Sequence, residues 1–241
     1  MKTKYEDVTI FQGYTGKERV LDSCKRQRER PQDYFEMEAG NKLTGIRDKT
    51  ATYLYVPEGI TRIDSFAFAG CQQLNGVFLP RTVESIGSSL FADCPRLTFL
   101  IVEPENPYYD SRNDCNAIID QRTGELIAGC RSTIVPEDIK GIGAFAFYMQ
   151  DGLKSITIPA HISYISNCAF KDCRQLVDVK LPKHLQKIGM GAFAGCTSLL
   201  DVVIPETITD IEENAFEGVD HVWYRGQSKK APWGAWNMNE S

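Results

Sequence analysis

Apolar residues recur along this chain with a period of 23 residues. The segment from Ile156 to Asp178 reads ITIPAHISYISNCAFKDCRQLVD, and the segment from Val179 to Asp201 reads VKLPKHLQKIGMGAFAGCTSLLD. Prolines keep the same step at Pro57 and Pro80, and again at Pro136, Pro159, Pro182 and Pro205. Phenylalanines keep it at Phe68 and Phe91, and again at Phe147, Phe170, Phe193 and Phe216. A fixed period of this length predicts a solenoid, because one unit cannot bury its apolar face alone and must stack on its neighbours.

Each unit predicts a strand, a return segment and a turn. Apolar and variable residues alternate before the proline, as in Val179, Leu181 and Pro182, which indicates a half-buried strand that ends at the proline. A second apolar pair three residues apart, such as Ile162 and Ile165, predicts an extended return layer. The Ala-Phe pair that follows predicts a short helical turn with its ring in the core, where successive rings stack.

Seven such units begin at Leu54, Val77, Leu100, Thr133, Ile156, Val179 and Val202. Their strands are expected to pair in parallel, since each starts at the same place in its unit. At a spacing of about 4.8 Å, seven strands would form one sheet roughly 30 Å across, which is large enough to bind another macromolecule.

The third unit is longer than the others. From Val102 to Val135 there are 33 residues where 23 are expected, and the additional ten lie between Pro104 and Cys130. Two strand-like runs, 117–119 and 126–128, flank the turn sequence DQRTGE and predict a hairpin. Centring this hairpin between residues 122 and 123 places Cys115 opposite Cys130. We predict that these two thiols form a disulfide if the protein meets an oxidising compartment.

The chain is expected to divide into a cap region, a solenoid and a tail, at residues 1–53, 54–224 and 225–241. The segment 33–56 contains strand-like pieces around a Gly-Asn turn and is predicted to cover the open apolar end of the first unit, because terminal repeats are atypical. In the tail, Trp233 and Trp236 are predicted to cap the last unit, and stacking on carbohydrate is the alternative.

Composition and charge bear on the function class. The 241 residues carry a net charge of -5 with both signs spread along the chain, which argues against nucleic acid as a partner. The one basic run, Lys25 to Arg30, is interpreted as the solvated face of a short helix, with contact to a polyanion as the alternative. No stretch approaches the roughly 18 apolar residues of a membrane span. The opening MKTKYEDVTIFQGYTG has no apolar core, so we do not expect it to be a secretory signal.

Four of the eight cysteines occupy one position of the repeat, three residues after the phenylalanine. Other units carry Gln150 or Val219 there, which is typical of a packing position. Parallel Cβ vectors on stacked neighbours disfavour a disulfide. We therefore expect buried free thiols at Cys71, Cys94, Cys173 and Cys196.

The unit I-x-I-P-x-x-I-x-x-I-x-x-x-A-F-x-x-C-x-x-L, repeated from Leu54 to Tyr224, closely resembles the BspA-like leucine-rich repeats, also called the Treponema pallidum type. The long unit, with ENPYYDSRNDCNAIID and LIAGC, looks like the extended repeat of that family. The resemblance implies an α/β solenoid, a right-handed superhelix of about seven 23-residue repeats with a parallel concave sheet. It also implies a bacterial scaffold, often secreted or on the cell surface, that adheres to host or other proteins and has no catalytic residues.

No residue pattern predicts an enzyme. The sequence has no Gly-x-Ser-x-Gly elbow and no Walker loop, and its histidines have no nucleophile at a diagnostic spacing. His161 and His184 are one repeat apart, and Asp138 holds the same position one unit earlier, which raises a row of metal ligands as an alternative. Such a row does not converge as tetrahedral coordination requires, so we interpret it as an exposed turn and expect no metal and no cofactor.

The variable strand positions form the outward face of the predicted sheet. Phe78, Phe99 and Ile101 make its first part more apolar than strand propensity requires, and an uncovered apolar patch usually marks an interaction site. We therefore predict a monomeric, non-enzymatic scaffold that binds a protein through this face. The alternatives are a glycan- or cell-wall-binding module and a structural spacer of a surface protein. The candidate binding residues are Phe78, Phe99, Ile101, Ile134, Thr157, Lys180, Val203 and Trp223.

Overall fold

The computed structural model describes residues 25–224 and the short strand at 236–237. Residues 25–29 are helical, and short 3-10 turns cover Pro31–Asp33 and Arg112–Asp114. The strands in chain order are β1 (Phe35–Glu38), β2 (Lys42–Ile46), β3 (Tyr53–Tyr55), β4 (Arg62–Ile63), β5 (Gly76–Leu79), β6 (Ser85–Ile86), β7 (Phe99–Val102), β8 (Tyr109–Asp110), β9 (Ala117–Asp120), β10 (Glu125–Gly129), β11 (Gly141–Ile142), β12 (Ser155–Thr157), β13 (Tyr164–Ile165), β14 (Asp178–Lys180), β15 (Lys187–Ile188), β16 (Asp201–Ile204), β17 (Asp210–Ile211), β18 (His221–Tyr224) and β19 (Trp236–Asn237).

The repeat produces stacked parallel strands, as predicted. Leu54 pairs with Val77, and Val77 pairs in turn with Leu100. In the second half of the chain, Ile156 pairs with Val179. Each pairing joins residues 23 positions apart, so one period of the sequence is one coil of the solenoid.

The first layer of strands is divided into three ladders. These are β3-β5-β7, β12-β14 and β16-β18-β19. The first-layer segment of the fourth unit, residues 133–136, forms no strand, and the main-chain N–H of Ile134 donates to the carbonyl of Cys115 at 3.0 Å. The prediction of one continuous seven-stranded sheet is therefore wrong. The break follows the long third unit, in which the inserted residue Cys115 accepts the N–H of Ile134.

The return layer is more continuous than the first layer. One sheet runs in the order β17-β15-β13-β11-β10-β9-β8, and a second runs β1-β2-β4-β6. Most of these strands are two residues long, and Ile165 pairs with Ile188 one coil further on. The predicted extended return layer is confirmed.

The Ala-Phe segment is a hydrogen-bonded turn and not a helical one. Left-handed backbone recurs two residues before and two residues after the repeat phenylalanine, as at Cys168 (φ 54°) and Asp172 (φ 58°) around Phe170. The N–H of Phe170 donates to the carbonyl of Ala192 on the next coil at 2.7 Å. These bonds form a third ladder along the axis, and the solenoid consists of parallel strands with little helix.

The phenylalanine rings stack in the core, as predicted. Centroid distances along Phe147, Phe170, Phe193 and Phe216 are 4.9, 5.1 and 5.2 Å, with interplanar angles of 8° or less. Earlier in the chain, the rings of the first and second units are 5.1 Å apart and tilted by 40°. The core therefore consists of two stacks, separated by the long third unit.

The hairpin β9–β10 joins the two parts of the core. Ile119 and Leu126 pack with the later units, whereas Ile118 and Ala128 pack with the earlier ones. Leu126 lies opposite Ile119, which is the predicted register, but the pairing then shifts so that Ala128 lies opposite Ile118. The bulge at Ile127 thus displaces the last residues of the hairpin by one position.

Both ends of the repeat array carry additional strands. At the beginning, β1 and β2 form a hairpin around the left-handed residues Gly40 and Asn41, and β2 continues into the return layer through β4. At the other end, the backbone of Trp236 in β19 pairs with Trp223 in β18. This pairing covers the edge of the last strand in the repeat, and Trp233 lies outside the described residues.

Candidate binding face

The outward side of the first layer consists of two parts. We call the outward side chains of β3, β5 and β7 the covered half, because Tyr53, Tyr55 and Phe78 among them are buried. The outward side chains of β12, β14, β16 and β18 form the open half, and all are exposed except the half-buried Trp223. The open half comprises Ser155, Thr157, Asp178, Lys180, Asp201, Val203, His221 and Trp223.

Phe78 is not available at the surface. Its ring is 1% exposed and stacks on Tyr55 with centroids 4.3 Å apart and planes 5° apart. Phe99 and Ile101 are half-buried and pack against the same cluster. Ile134 is 70% exposed but lies in no strand. The expectation of an uncovered apolar patch is therefore wrong for Phe78, and Ile134 belongs to the gap between the two halves.

Neighbouring coils place charged and hydroxyl groups side by side in the open half. Parallel pairing sets Ser155 beside Asp178 and Thr157 beside Lys180. All four side chains are exposed, and in the described part of the chain neither Asp178 nor Lys180 takes part in an ion pair. These groups are thus hydrated and available to a ligand.

The indole of Trp223 is held in place at the end of the open half. Its Nε1–H donates to Oδ1 of Asp201 at 2.9 Å, and the imidazole of His221 stacks on it at 5.9 Å. Val203 lies beside Trp223 on the neighbouring strand and is 38% exposed. The ring is therefore preorganised, which lowers the conformational entropy lost when a partner binds.

An exposed apolar ridge that the sequence analysis missed borders the open half. Val177 and Leu200 are 58% and 55% exposed, and each immediately precedes a strand of the open half. They are one period apart and so lie on adjacent coils. The sequence does distinguish these two residues. The position after the repeat leucine is polar in other units, which carry Asn75, Thr98 and Lys154 there, and is apolar only in the units of Val177 and Leu200 among these five.

Cys115 and Cys130 are buried free thiols in this structure. The Sγ of Cys130 donates to the carbonyl of Asn116 at 3.3 Å, and the Sγ of Cys115 donates to the carbonyl of Ala117 at 3.7 Å. Burial raises the pKa of Cys115 to about 11 and also raises the pKa of Cys130. Since the thiolate is the reactive form, both are slow to react at neutral pH. Their disulfide under oxidising conditions stays a prediction.

The cysteines of the repeat position are buried free thiols, as predicted, and they also bond between coils. The Sγ of Cys196 donates to the carbonyl of Phe170 at 3.1 Å, and Cys173 makes the equivalent bond. Burial raises the pKa of Cys196 to about 12. Gln150 occupies the same position and reaches the carbonyl of Phe91 across the long third unit. This position therefore satisfies a buried carbonyl of the preceding turn.

The histidine row does not form a metal site. The Nε2 of His161 lies 2.7 Å from the carbonyl oxygen of Ile139, and Asp138 is bonded to Arg112 at 2.8 Å. Within the residues that the structure describes, no group of three or more His, Cys, Asp or Glu side chains is placed to hold a metal ion. His161 and His184 are exposed residues of the turn after the proline.

A polar cleft of about 630 Å³ lies on the return layer beside the hairpin. The Nζ of Lys42 is 2.7 Å from a carboxylate oxygen of Asp64. The guanidinium of Arg122 is 2.7 Å from Asp120 and lies over the ring of Tyr108 at 5.1 Å. Because these cations are already neutralised by neighbouring carboxylates, the cleft is a weaker candidate site than the open half.

The chain matches the model of the BspA type leucine rich repeat region in six copies, over residues 47–112 and 127–222. The matched residues make up more than half of the chain. The chain belongs to this family of BspA-type leucine-rich repeat proteins. The unmatched gap falls in the long third unit, where β9 and the hairpin turn replace the regular repeat.

Solved structures of bacterial repeat proteins share the fold. A leucine rich cell surface protein from Faecalibacterium prausnitzii is 22% identical, with a TM-score of 0.58 over 73% of this chain and 54% of that one. The pneumococcal vaccine antigen PcpA is 17% identical, with a TM-score of 0.52 over 73% of this chain and 55% of that one. The chain thus spans about half the length of these two proteins.

No curated protein matched the chain in sequence. Among the described residues, no helix has the length and apolar character needed to cross a membrane.

Proposed function

We propose that this chain is a non-enzymatic scaffold that binds a protein partner through the open half and the ridge of Val177 and Leu200. The observation that supports this most is the arrangement at the β14–β16 coils, where an exposed apolar ridge borders hydrated charges. Protein interfaces combine an apolar centre with a polar rim in this way. Trp223, fixed by its hydrogen bond to Asp201, supplies the residue type most enriched at binding hot spots.

The size of the open half limits what it can bind. Four strands at about 4.8 Å spacing and about 3.3 Å per residue give a face of roughly 20 by 12 Å, or about 240 Å². A stable interface buries about 800 Å² on each partner. A partner must therefore extend beyond the sheet, and the ridge is the nearest exposed apolar surface. We place the ridge near the centre of the interface for this reason.

The surface location is part of the same proposal. One of the structural neighbours is described as a cell surface protein and the other as a vaccine antigen. Solenoids of stacked repeats present extended concave binding surfaces. We propose that this chain acts at or outside the cell surface, in adhesion or in contact with another protein.

Substitution of the ridge tests the proposal. In the variant Val177→Asp/Leu200→Asp, two carboxylates replace apolar side chains that are already exposed, so the fold is expected to stay intact. The matched control is Met190→Asp, which changes another exposed apolar residue, at 48% exposure, on the turn side of the coil. Proteins from a host-cell or native lysate are captured on immobilised wild type and on both variants, and quantified by mass spectrometry.

The proposal predicts at least one species that the wild type and Met190→Asp capture equally and that Val177→Asp/Leu200→Asp captures at least tenfold less. Equal capture by all three proteins would place the interface elsewhere. The absence of any selectively captured protein favours the spacer alternative. Retention of the wild type on cell-wall polysaccharide, lost in Trp223→Ala, favours the glycan-binding alternative.

A further inference from the structure

The polar cleft of the return layer lies between the first return sheet and the long third unit. Along the sheet it is lined by one column of residues, in which Lys42 pairs with Arg62 and Arg62 pairs with Ser85 on successive coils. β6 is the last strand of this sheet, and β8 is the edge of the other return sheet. Tyr108 and Arg122 of the long third unit line the same cleft. The cleft is therefore formed by a departure from the repeat, and insertions into repeat proteins often lie on the binding face.

Hydrogen bonds fix the long third unit against the second unit beside the cleft. The side-chain Nδ2 of Asn106, a residue that is 3% exposed, donates to the carbonyl of Val83 at 2.9 Å. The guanidinium of Arg122 donates to the carbonyl of Glu84 at 3.3 Å and to the hydroxyl of Tyr109 at 2.7 Å. Walls held in this way are preorganised, so less conformational entropy is lost when a ligand binds.

Two of the cations that line the cleft are neutralised by carboxylates. The Nζ of Lys42 lies 2.7 Å from a carboxylate oxygen of Asp64, and the guanidinium of Arg122 lies 2.7 Å from one of Asp120. An anionic ligand would have to compete with these carboxylates for the same cations. The cleft is therefore better suited to a neutral polar ligand than to a phosphate or a sulfate.

Arg62 and Glu84 are the charged groups available to such a ligand. Both side chains are exposed and line the cleft, and neither takes part in an ion pair within the described residues. Arg62 can only donate hydrogen bonds, and an ionised Glu84 can only accept them. A sugar hydroxyl both donates and accepts, so it can bond to either group, and hydrogen bonds to ionised groups are the stronger ones. The hydroxyl of Ser85, beside Arg62 on the neighbouring strand, adds a further donor and acceptor.

Tyr108 gives the cleft an apolar surface. Its ring is half-buried, and the guanidinium of Arg122 lies over it at 5.1 Å from the ring centroid. The face of an aromatic ring is negative, which attracts the polarised C–H groups of a pyranose ring. The cleft volume of about 630 Å³ lies within the range of about 300–1,000 Å³ that is typical of small-molecule sites. Ring, donors, acceptors and size together fit a sugar.

We propose that this cleft binds a neutral pyranose sugar, with Arg62 and Glu84 bonded to its hydroxyls and Tyr108 packed on its ring. The cleft is on the return layer and the open half is on the first layer, so this inference goes beyond the proposed protein binding and does not depend on it. It also differs from the glycan-binding alternative, in which Trp223 holds the sugar. A ligand of this size is expected to bind with a dissociation constant on the order of millimolar.

Saturation-transfer difference NMR on the full chain tests the proposal. The probes, each titrated separately, are D-glucose, D-galactose, D-mannose, L-fucose, N-acetyl-D-glucosamine and N-acetyl-D-galactosamine. At least one is expected to bind the wild type. Arg62→Ala/Glu84→Ala should bind it roughly tenfold more weakly or worse, because hydrogen bonds to two ionised groups are lost. Both side chains are exposed and their charges cancel, so the fold and the net charge are expected to stay unchanged.

The matched control is Asp178→Ala/Lys180→Ala, which removes two exposed opposite charges from the open half. This variant and Trp223→Ala are expected to bind the sugar as the wild type does. Tyr108→Leu keeps apolar bulk beside Arg122 but removes the ring, and is expected to weaken binding several-fold.

Three results would overturn the proposal. The first is the absence of saturation transfer to all six sugars. The second is equal binding by the wild type and Arg62→Ala/Glu84→Ala, which would place any sugar elsewhere on the protein. The third is binding of D-glucuronate, the anionic counterpart of glucose, without binding of any neutral sugar. Neither cleft variant alters Val177 or Leu200, so these results and the lysate capture experiment succeed or fail separately.

Discussion

Replacing Phe170 with alanine would measure how much the ring stack stabilises the second part of the core. Phe170 is fully buried and lies between Phe147 at 4.9 Å and Phe193 at 5.1 Å. Phe216 ends the same stack, is half-buried and has one described ring neighbour, at 5.2 Å. The two residues hold the same position of the repeat, so they form a matched pair that differs in burial and in the number of stacked rings.

The expected costs follow from these differences. Truncating a buried phenylalanine to alanine costs about 3–5 kcal/mol of the free energy of unfolding. A stacked ring pair contributes about 0.5–1.5 kcal/mol beyond burial. With two such pairs and complete burial, Phe170→Ala should lie near the upper end, at about 4–5 kcal/mol. Phe216→Ala should cost about 2 kcal/mol, because much of its ring is already in water.

Equilibrium unfolding in urea, followed by far-UV circular dichroism, measures both values. The midpoint is expected to fall much further for Phe170→Ala than for Phe216→Ala. The m value, which is the slope of the unfolding free energy against urea concentration, should stay close to that of the wild type, since the surface exposed on unfolding hardly changes. If the two variants lose stability to within about 1 kcal/mol of each other, the stack is not the source of the difference, and the reasoning from ring geometry fails.

Three further predictions concern the repeat positions and the hairpin. Gln150→Ala removes a buried hydrogen bond to a main-chain carbonyl and should lower the unfolding free energy by about 1–3 kcal/mol in the same urea assay; no loss would show that this bond contributes nothing. At pH 8, iodoacetamide should label the half-exposed Cys168 in the native protein well before Cys196, whose pKa burial raises to about 12, and equal labelling rates by mass spectrometry would contradict this. Gly129→Ala should cost about 1–3 kcal/mol, because a Cβ there would lie 2.1 Å from the ring of Phe147; an unchanged thermal midpoint would show that this ring can move.

The 23-residue period predicts the contacts that are made between equivalent positions of successive coils. Ile165 and Ile188 pair in the return layer, and Phe170 and Phe193 stack, at the positions that the 23-residue step assigns to them. In a solenoid each repeat packs against neighbouring repeats of the same pattern. Residues at the same repeat position in successive units therefore contact one another. These contacts could be predicted from one sequence, because the 23-residue spacing by itself identifies the two residues that meet.

The short helical turn predicted at the Ala-Phe pair is replaced by a turn with left-handed backbone on both sides of the phenylalanine. Glycine occupies the left-handed positions in some units, as at Gly191 (φ 59°) and Gly195 (φ 74°), which indicates a turn and not a helix. Glycine adopts this backbone at little cost. In the preceding unit the same positions hold Cys168 and Asp172, which give no such signal. The turn is therefore indicated by the glycines of one unit and not by the residues of its neighbour.

The break in the first layer and the burial of Phe78 could not be predicted from the period. The third unit departs from the repeat, and the N–H of Ile134 donates to Cys115, a residue of its insertion. The bulge at Ile127 depends on the same packing. The burial of Phe78 does not follow from its position in the repeat, because the equivalent residues of later units are exposed. Gln27, which bonds to β3 beside it, lies in the part of the chain that has no 23-residue period. Both failures occur where residues of one unit meet residues outside the repeat.

The energetics of the covered half explain why the open half is the better place for an external partner. Aromatic side chains bury about 150–250 Å² each. If half of each of the buried Tyr53, Tyr55 and Phe78 faces outward, covering them removes about 300 Å² from water. At about 25 cal/mol per Å², uncovering them would cost on the order of 7 kcal/mol. A partner that docks on the covered half must first offset this cost, whereas Val177 and Leu200 are already exposed. Because a free energy of that size corresponds to about five orders of magnitude in affinity, binding should begin at the ridge and the open half.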